Sequence, residues 1–474
     1  MDMESMSTIT QEKNPFHFQE MLASLDHIQL DHSVVSPMNR LPIELVAKIF
    51  THCLPDKPAS PDQHKAPLLL GQICKHWRTI ALATPLLWRT ISARLSSDSD
   101  IMERQVAWIE LWLLRSSECP LVIDLIISRP HSHRALDAAI RHAHRWQDVS
   151  LYLTLSSLRR LAPIQGRLFE LRRLRLRPDM VGEVPVEQIC TFQAAPNLQE
   201  VDIFLGSAPF DLPWTQLIRA RFRCHVPDCA EYMRKASNLV QCTLGNCWLD
   251  SDVRVPDRIV VSQIVSLHLE ETYQSGVESI FQYVTLPALR DLSISFRGTV
   301  WPHSYYVAFL LRSRCRIERL ALIGATMAYQ ELVSLLQSLP SIVELHILWV
   351  DTTVAEGYQP IVDDNFLRLL TCNESLDTPP VLLPKLQAIM LWGPLLFDDQ
   401  SLVNMIQTRL LKPPPSVACL AYVGLYYHRQ WDKGAMKRLE SFRASGLELI
   451  VEKVPTNKQQ LFPEWDGFQL CVSV

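Results

Sequence analysis

An apolar-x-x-apolar-x-apolar string returns along most of this chain. It reads "LRRLRL" at Leu171, "LQEVDI" at Leu198, "LVQCTL" at Leu239, "IVSLHL" at Ile264, "LRDLSI" at Leu289, "IERLAL" at Ile317, "IVELHI" at Ile342, "LQAIML" at Leu386 and "VACLAY" at Val417. Weaker copies begin at Trp146 ("WQDVSL") and Leu217 ("LIRARF"). Leu239 to Ile264, Ile264 to Leu289 and Ile317 to Ile342 are each 25 residues apart, and Leu289 to Ile317 is 28. A near-constant period means that one small unit is used repeatedly, with an apolar face that it cannot bury until neighbours stack on it.

Each string predicts a short strand, and the spacing leaves room for a turn and a helix before the next. "FQAAPNLQ", "VTLPALR", "QSLPSIV" and "VLLPKLQ" place a proline two residues before the first apolar position. Proline there ends the preceding helix and favours an extended chain. The 44 residues from Ile342 to Leu386 predict an enlarged repeat with a helix and then a polar loop.

This pattern resembles the leucine-rich repeat, whose units of roughly 20 to 29 residues place a strand at L-x-x-L-x-L. The resemblance implies a horseshoe-like solenoid of short parallel strands with outer helices, here over residues 146–453. The regular Asn of ribonuclease-inhibitor-like repeats is missing. An ordinary α/β fold with leucine-rich strands is the alternative.

With three apolar positions facing inward, the intervening residues face outward. They are Arg173, Arg175 and Arg177; Glu200, Asp202 and Phe204; Ser266, His268 and Glu270; Asp291, Ser293 and Ser295; Glu344, His346 and Leu348; and Met390 with Trp392. This face is expected to pass from basic through acidic to apolar and to bind a protein segment, with Met390 and Trp392 as anchors. Solvated strand faces are the plainer reading.

Ahead of the repeats, "NRLPIELVAKIFTHCLPD" and "PLLLGQICKHWRTIALATPLLW" concentrate apolar side chains on a short piece of chain. Pro42 suits a first helical position and Glu44 complements the helix dipole. Leu45, Val46, Ile49, Phe50 and Cys53 then fall on one stripe. The proline-rich segment 55–67 reads as a solvated loop. A second helix is predicted through Leu70, Ile73, Cys74, Trp77, Ile80 and Ala81, and Thr84–Pro85 starts a third carrying Leu86, Leu87 and Trp88. Three helices in about fifty residues have little interior, so part of this apolar surface must meet another surface.

The order of Leu41, Pro42, Glu44, Cys74, Trp77, Arg78, Pro85 and Trp88 resembles the F-box over residues 40–91. With its long 55–67 spacer it resembles the expanded F-box families of mushroom-forming (basidiomycete) fungi. The resemblance implies a three-helix domain that docks on a Skp-type adaptor and, through it, on cullin and RING subunits of a ubiquitin ligase. Leu41, Pro42, Ile43, Glu44, Leu45, Ile49, Phe50 and Trp77 would be the docking residues. The expected fold class is thus α/β, a small F-box followed by a leucine-rich-repeat solenoid, an order familiar among substrate receptors. The second reading is a scaffold whose F-box-like helices pack on its own repeats and recruit no ligase.

The remaining segments are expected to be an N-terminal stretch, 1–39, partly disordered or with a short helix at "HFQEMLASLDHIQL", a helical linker over 92–145, and a C-terminal tail, 454–474. Length allows about three domains or one repeat array. The 48% hydrophobic and 20% charged composition is that of a folded chain. A net charge of −4 supplies no broad basic field for nucleic acid or an anionic membrane. No secretory signal or membrane span is legible, so the expected location is cytoplasmic, nuclear or both, with the 12 cysteines reduced.

"RCHVPDC" and "QCTLGNC" space Cys224, His225, Cys229, Cys242 and Cys247 poorly for zinc, and Cys242 occupies a repeat position. The histidines of "HSHR" and "HAHRW" read as surface residues. Serine elbows, P-loops and dinucleotide fingerprints are not found. The expectation is a chain with no catalytic residues, metal or cofactor, whose partners carry any chemistry.

Overall fold

In a computed structural model of the protein, the described residues are 37–127, 133–179, 188–206, 210–224, 226–245, 258–272, 274–296, 300–348, 362–372, 381–393, 395–427 and 431–453. The segments expected at 1–36 and 454–474 lie outside them. Two compact units are present, one of residues up to Pro55 with Asp62–Leu87, the other of Asp56–Pro61 with everything from Trp88 onward.

The first unit contains α1 (Ile43–His52), α2 (Leu70–Ile73), α3 (Lys75–Leu82) and a 3-10 turn that starts at Pro85. Val46 and Phe50 of α1 are buried, as are Leu70, Ile80 and Ala81. The Phe50 ring lies 4.9 Å from Trp77 on α3. One continuous second helix was expected. Instead, Cys74 is extended (φ −159°, ψ 168°) and its Sγ accepts the Trp77 N–H, so it caps α3 and separates it from α2. Ile73 and Cys74 consequently leave the apolar face and are exposed.

The second unit is a single sheet of fourteen parallel strands. In sheet order these are β1 (Thr90–Arg94), β2 (Leu121–Ile127), β3 (Trp146–Thr154), β4 (Arg173–Asp179), β5 (Glu200–Gly206), β6 (Arg219–Cys224) and β7 (Gln241–Gly245). A two-residue strand, β8 (Ile259–Val260), pairs with β10 (Val284–Thr285) in a separate small sheet. The main sheet continues with β9 (Ser266–Thr272), β11 (Asp291–Phe296), β12 (Arg319–Ile323), β13 (Glu344–Leu348), β14 (Ala388–Gly393), β15 (Tyr422–Tyr427) and β16 (Glu448–Lys453). Each strand pairs with the next main-sheet strand in the chain, which is the order a stacked repeat dictates.

Helices connect many of these strands: α4 (Ser99–Arg115), α5 (His133–Arg141), α6 (Leu155–Arg159), α7 (Val226–Lys235), α8 (Gln274–Tyr283), α9 (His303–Ser313), α10 (Tyr329–Gln337), α11 (Asp364–Leu370), α12 (Asp399–Leu410) and α13 (Lys433–Arg443). The helix in the enlarged repeat is α11, while 349–361 and 373–380 lie outside the described residues.

Two boundaries need correction. Residues 92–145 are not a helical linker: β1 and β2 lie there and extend the sheet, with Ile91, Ala93, Ile123 and Leu125 as their buried positions. Their copies lack the full apolar string, so the period did not reveal them. Trp88, read as part of the helical unit, belongs to the sheet unit, where it meets Trp112 edge-on at 4.8 Å under the Arg115 guanidinium.

The first apolar residue of each copy forms one buried column: Trp146, Leu171, Leu198, Leu217, Leu239, Ile264, Leu289, Ile317, Ile342 and Leu386. Each contributes on the order of 2 kcal/mol of apolar burial. The prolines before four of them occupy the second position of a tight turn, closed by Leu198 N–H to Ala195 O, Leu289 to Leu286, Ile342 to Leu339 and Leu386 to Leu383. The last copy is displaced. Its strand starts at Tyr422, so the column continues at buried Leu420 and not at Val417.

Acidic residues tie neighbouring repeats together at the helix starts. Asp398 and Asp432 cap α12 and α13, and their own N–H groups donate to Asp364 Oδ1 at 2.9 Å and Asp399 Oδ2 at 2.7 Å. Aspartate is well suited there, because it accepts from exposed helix N–H groups and complements the dipole.

Two candidate interaction surfaces

On the first unit, α1 is amphipathic in an unusual sense. Val46 and Phe50 face inward, while Leu41, Ile43, Leu45 and Ile49 are 36%, 56%, 48% and 41% exposed. Pro42 and Glu44 are exposed between them. Leu69, Ile73, Leu82 and Leu86 add further exposed apolar side chains that the motif did not single out. Their helices are fixed by the small core around Phe50 and by Arg78 Nε donating to Gly71 O at 2.8 Å. Two of the expected docking residues differ: Phe50 is buried and Trp77 partly buried, because so short a unit needs their rings to build an interior.

On the second unit, the strand residues between the buried columns form the opposite face of the sheet. Register aligns them in three rows. The central row runs Arg175, Asp202, Arg221, Thr243, His268, Ser293, Ala321, His346, Met390 and Gly424. Its members are less open than alternation predicted: Asp202 is 7%, His346 2% and Met390 6% exposed. Parallel strands bring like positions to about 4.8 Å, so long neighbouring side chains close over the central row.

The face is ionic at one end. Arg173 pairs with Asp148 at 3.3 Å and Glu200 at 3.0 Å, and Arg219 pairs with Glu200. Asp202 lies among Arg177, Arg221 and Arg223 at 3.3–3.5 Å, and Arg221 also reaches Glu270 at 3.0 Å. Burial lowers the Arg223 pKa and the Asp202 carboxylate opposes that effect. The expected succession from basic to acidic is therefore wrong, since the "acidic" strand is interleaved with arginines on both sides. Sequence reading missed Arg219, Arg221 and Arg223; the alternating Arg of "IRARFR" was the available signal. Phe204 is half-buried beside this cluster.

Further along, Ser266 Oγ lies 2.7 Å from His268 Nε2 and donates to Asp291 Oδ2 at 3.2 Å. Burial lowers the His268 pKa against the pull of Asp291 and Glu270. His346 Nε2 lies 2.8 Å from Glu344 and holds that carboxylate below the ordinary value against the cost of burial.

The far end is apolar. Leu348, Ala388, Met390 and Tyr422 cluster, with Ile323, Trp392, Tyr426 and Ile450 packed against them. Trp392 and Tyr426 stack at 4.9 Å and 21°. The Tyr422 ring lies over Gly424, whose added Cβ would sit 2.9 Å from the phenol oxygen. Tyr422 and Tyr426 escaped sequence reading because the last copy was set three residues early.

No protein-family model matches the chain, and no curated protein matches it. Both surfaces thus stand on their own geometry.

Among the described residues no group of three or more His, Cys, Asp or Glu is placed to hold a metal ion. Cys229 and Cys242 are buried core positions, and His225 and Cys247 lie outside the described residues. Among the described residues no helix is long and apolar enough to cross a membrane.

Burial pushes the Tyr422 phenol up to about 12 from 10, with Tyr426 and Glu448 adding to the shift. The neutral form is favoured by folding, so this contribution to stability is complete below pH 10 and disappears as pH rises from 10 to about 12. Phenolate absorbance during alkaline titration should show Tyr422 ionising late, and Tyr422→Phe should remove that late step. Since the buried hydroxyl has no hydrogen-bond partner, Tyr422→Phe should leave stability unchanged or raise it by up to about 1 kcal/mol.

Proposed function

We propose that the chain is the substrate-recognition subunit of a Skp-cullin-F-box type ubiquitin ligase. Its first unit is an F-box that docks a Skp-type adaptor, and its second is a degenerate leucine-rich-repeat solenoid that holds a target protein. The observation that carries this reading is the exposed set of Ile43, Leu45 and Ile49 on α1 with Leu41 and Pro42 at its entry, within the ordered F-box-like anchors. Four large apolar side chains on one short helix and its entry are poorly stable facing water and well suited to a partner's groove. The parallel sheet with its strand-per-repeat order supports the solenoid, and its ionic and apolar face supplies a varied surface for a protein segment.

Catalysis then belongs to the partners. The receptor holds a target lysine near the charged conjugating enzyme and so raises its effective concentration.

The reading is tested by co-purification with a Skp-type adaptor. The unmutated chain should retain it stoichiometrically, and Leu41→Ala, Pro42→Ala and Ile49→Ala combined should lose it by at least a hundredfold in affinity, with the helical content of the chain unchanged. A chain that never retains the adaptor would instead be an interaction scaffold.

A further inference from the structure

Two features of the open sheet face are surplus to its own packing. The first is charge. Over β4 to β6 and β9, the guanidiniums of Arg177, Arg221 and Arg223 pair, among the described residues, with Asp202 and Glu270, and Arg175 stands beside Asp202 in the register without an ion pair among those residues. Arg177 keeps about half its side chain in solvent (49%). The second is at the apolar end, where the stacked rings of Trp392 and Tyr426 are only partly buried.

Between the two ends the central row sets the small residues Thr243, Ser293 and Ala321, with Gly245 and Ser295 beside them, next to His268, which is bonded to Ser266, and to His346, which is buried. Arg223 lies across Gly245, where an added Cβ would meet its side chain at 3.2 Å. An extended chain can therefore run across these strands from the arginines to the aromatic pair.

We infer that the segment held on this face is an extended acidic peptide with two carboxylates about three residues apart and an apolar anchor about nine residues beyond them. The spacing follows from the sheet: β4 to β6 is two strand steps, about 10 Å, and β6 to β14 is six, about 29 Å, against about 3.3 Å per extended residue. The charge count matches two monoanions. Two separate carboxylates can flank Asp202, one by Arg175 and Arg177 and one by Arg221 and Arg223, whereas a single dianionic phosphate reaching all four would sit over Asp202. The anchor packs on Trp392 and Tyr426, the kind of rigid aromatic pair that dominates interfaces.

This rests on the reading of the sheet unit as target-binding, but it is tested separately from adaptor docking. A displayed library of random peptides of about 18 residues would be panned on the full chain, and the enriched peptides synthesised. They should carry two acidic residues and an aromatic or leucine at the stated spacing. They should bind at least tenfold more weakly to Arg175→Gln with Arg177→Gln and tenfold more weakly to Trp392→Ala. Unchanged thermal melting of each variant guards against misfolding. An acid-free consensus, no enrichment, or equal binding by the variants would overturn the inference. So would tighter binding of phosphoserine than of glutamate at the acidic positions. Retention of the adaptor in the same preparations would show that the receptor reading survives such a failure.

Discussion

Arg409→Met should lower the free energy of local opening around α11 and α12 by about 3–5 kcal/mol. Arg409 is completely buried, and among the described residues no carboxylate pairs with it. Burial alone pushes its pKa down to about 10, and its guanidinium donates to three carbonyls: Leu370 at 2.5 Å, Leu383 at 3.1 Å and Leu382 at 2.6 Å. Leu383 holds a left-handed conformation, φ +53°, unfavourable for a residue with a Cβ by about 1–2 kcal/mol. Removing the guanidinium strands the three carbonyls and releases that turn, just before the buried Leu386. Arg409→Lys should recover little, because an ammonium lacks the planar fork that reaches three acceptors. Hydrogen exchange at amides 366–372 and 403–410 reads the effect directly. Unchanged protection there would show that the carbonyls find other donors.

Phe50→Ala should unfold the first unit. Its ring is fully buried and packs tilted against Trp77, and deleting a buried phenylalanine costs about 3–5 kcal/mol. A unit of about fifty residues has little stability to lose. The adjacent Ile49→Ala, 41% exposed, should change stability by under about 0.5 kcal/mol while weakening adaptor capture. Limited proteolysis of residues 43–82 with and without adaptor separates the two effects. If Ile49→Ala were cut as fast as Phe50→Ala, α1 would not have the outward face assigned to it.

The contrast between these neighbours also marks what a one-dimensional pattern can tell. An apolar stripe identifies α1 but does not say which of its residues serve the interior. Neighbouring positions on a helix point about 100° apart, and in so thin a unit Phe50 went inward while Ile49 did not. A similar ambiguity affected the sheet face. Strand alternation put Arg175, Asp202, His346 and Met390 on one side, but exposure depended on side chains arriving from neighbouring strands about 20 or more residues away.

The sequence by itself determined the repeat and its polarity: a periodic apolar string can bury its three positions only by stacking in order, so Leu171, Leu198, Leu239, Ile264 and their counterparts had one place to go. Its prolines likewise specified turns, because a fixed φ suits the second position of a turn and little else nearby. Tertiary structure alone decided where charge would be buried. Arg145, bonded to Cys119 O and Ser116 Oγ, and Arg409, bonded to Leu370 O, are buried, and each closes the carbonyl end of a neighbouring segment. No local rule sends an arginine inward; only the arrival of several unpaired carbonyls from another repeat makes a dry site better for it than water.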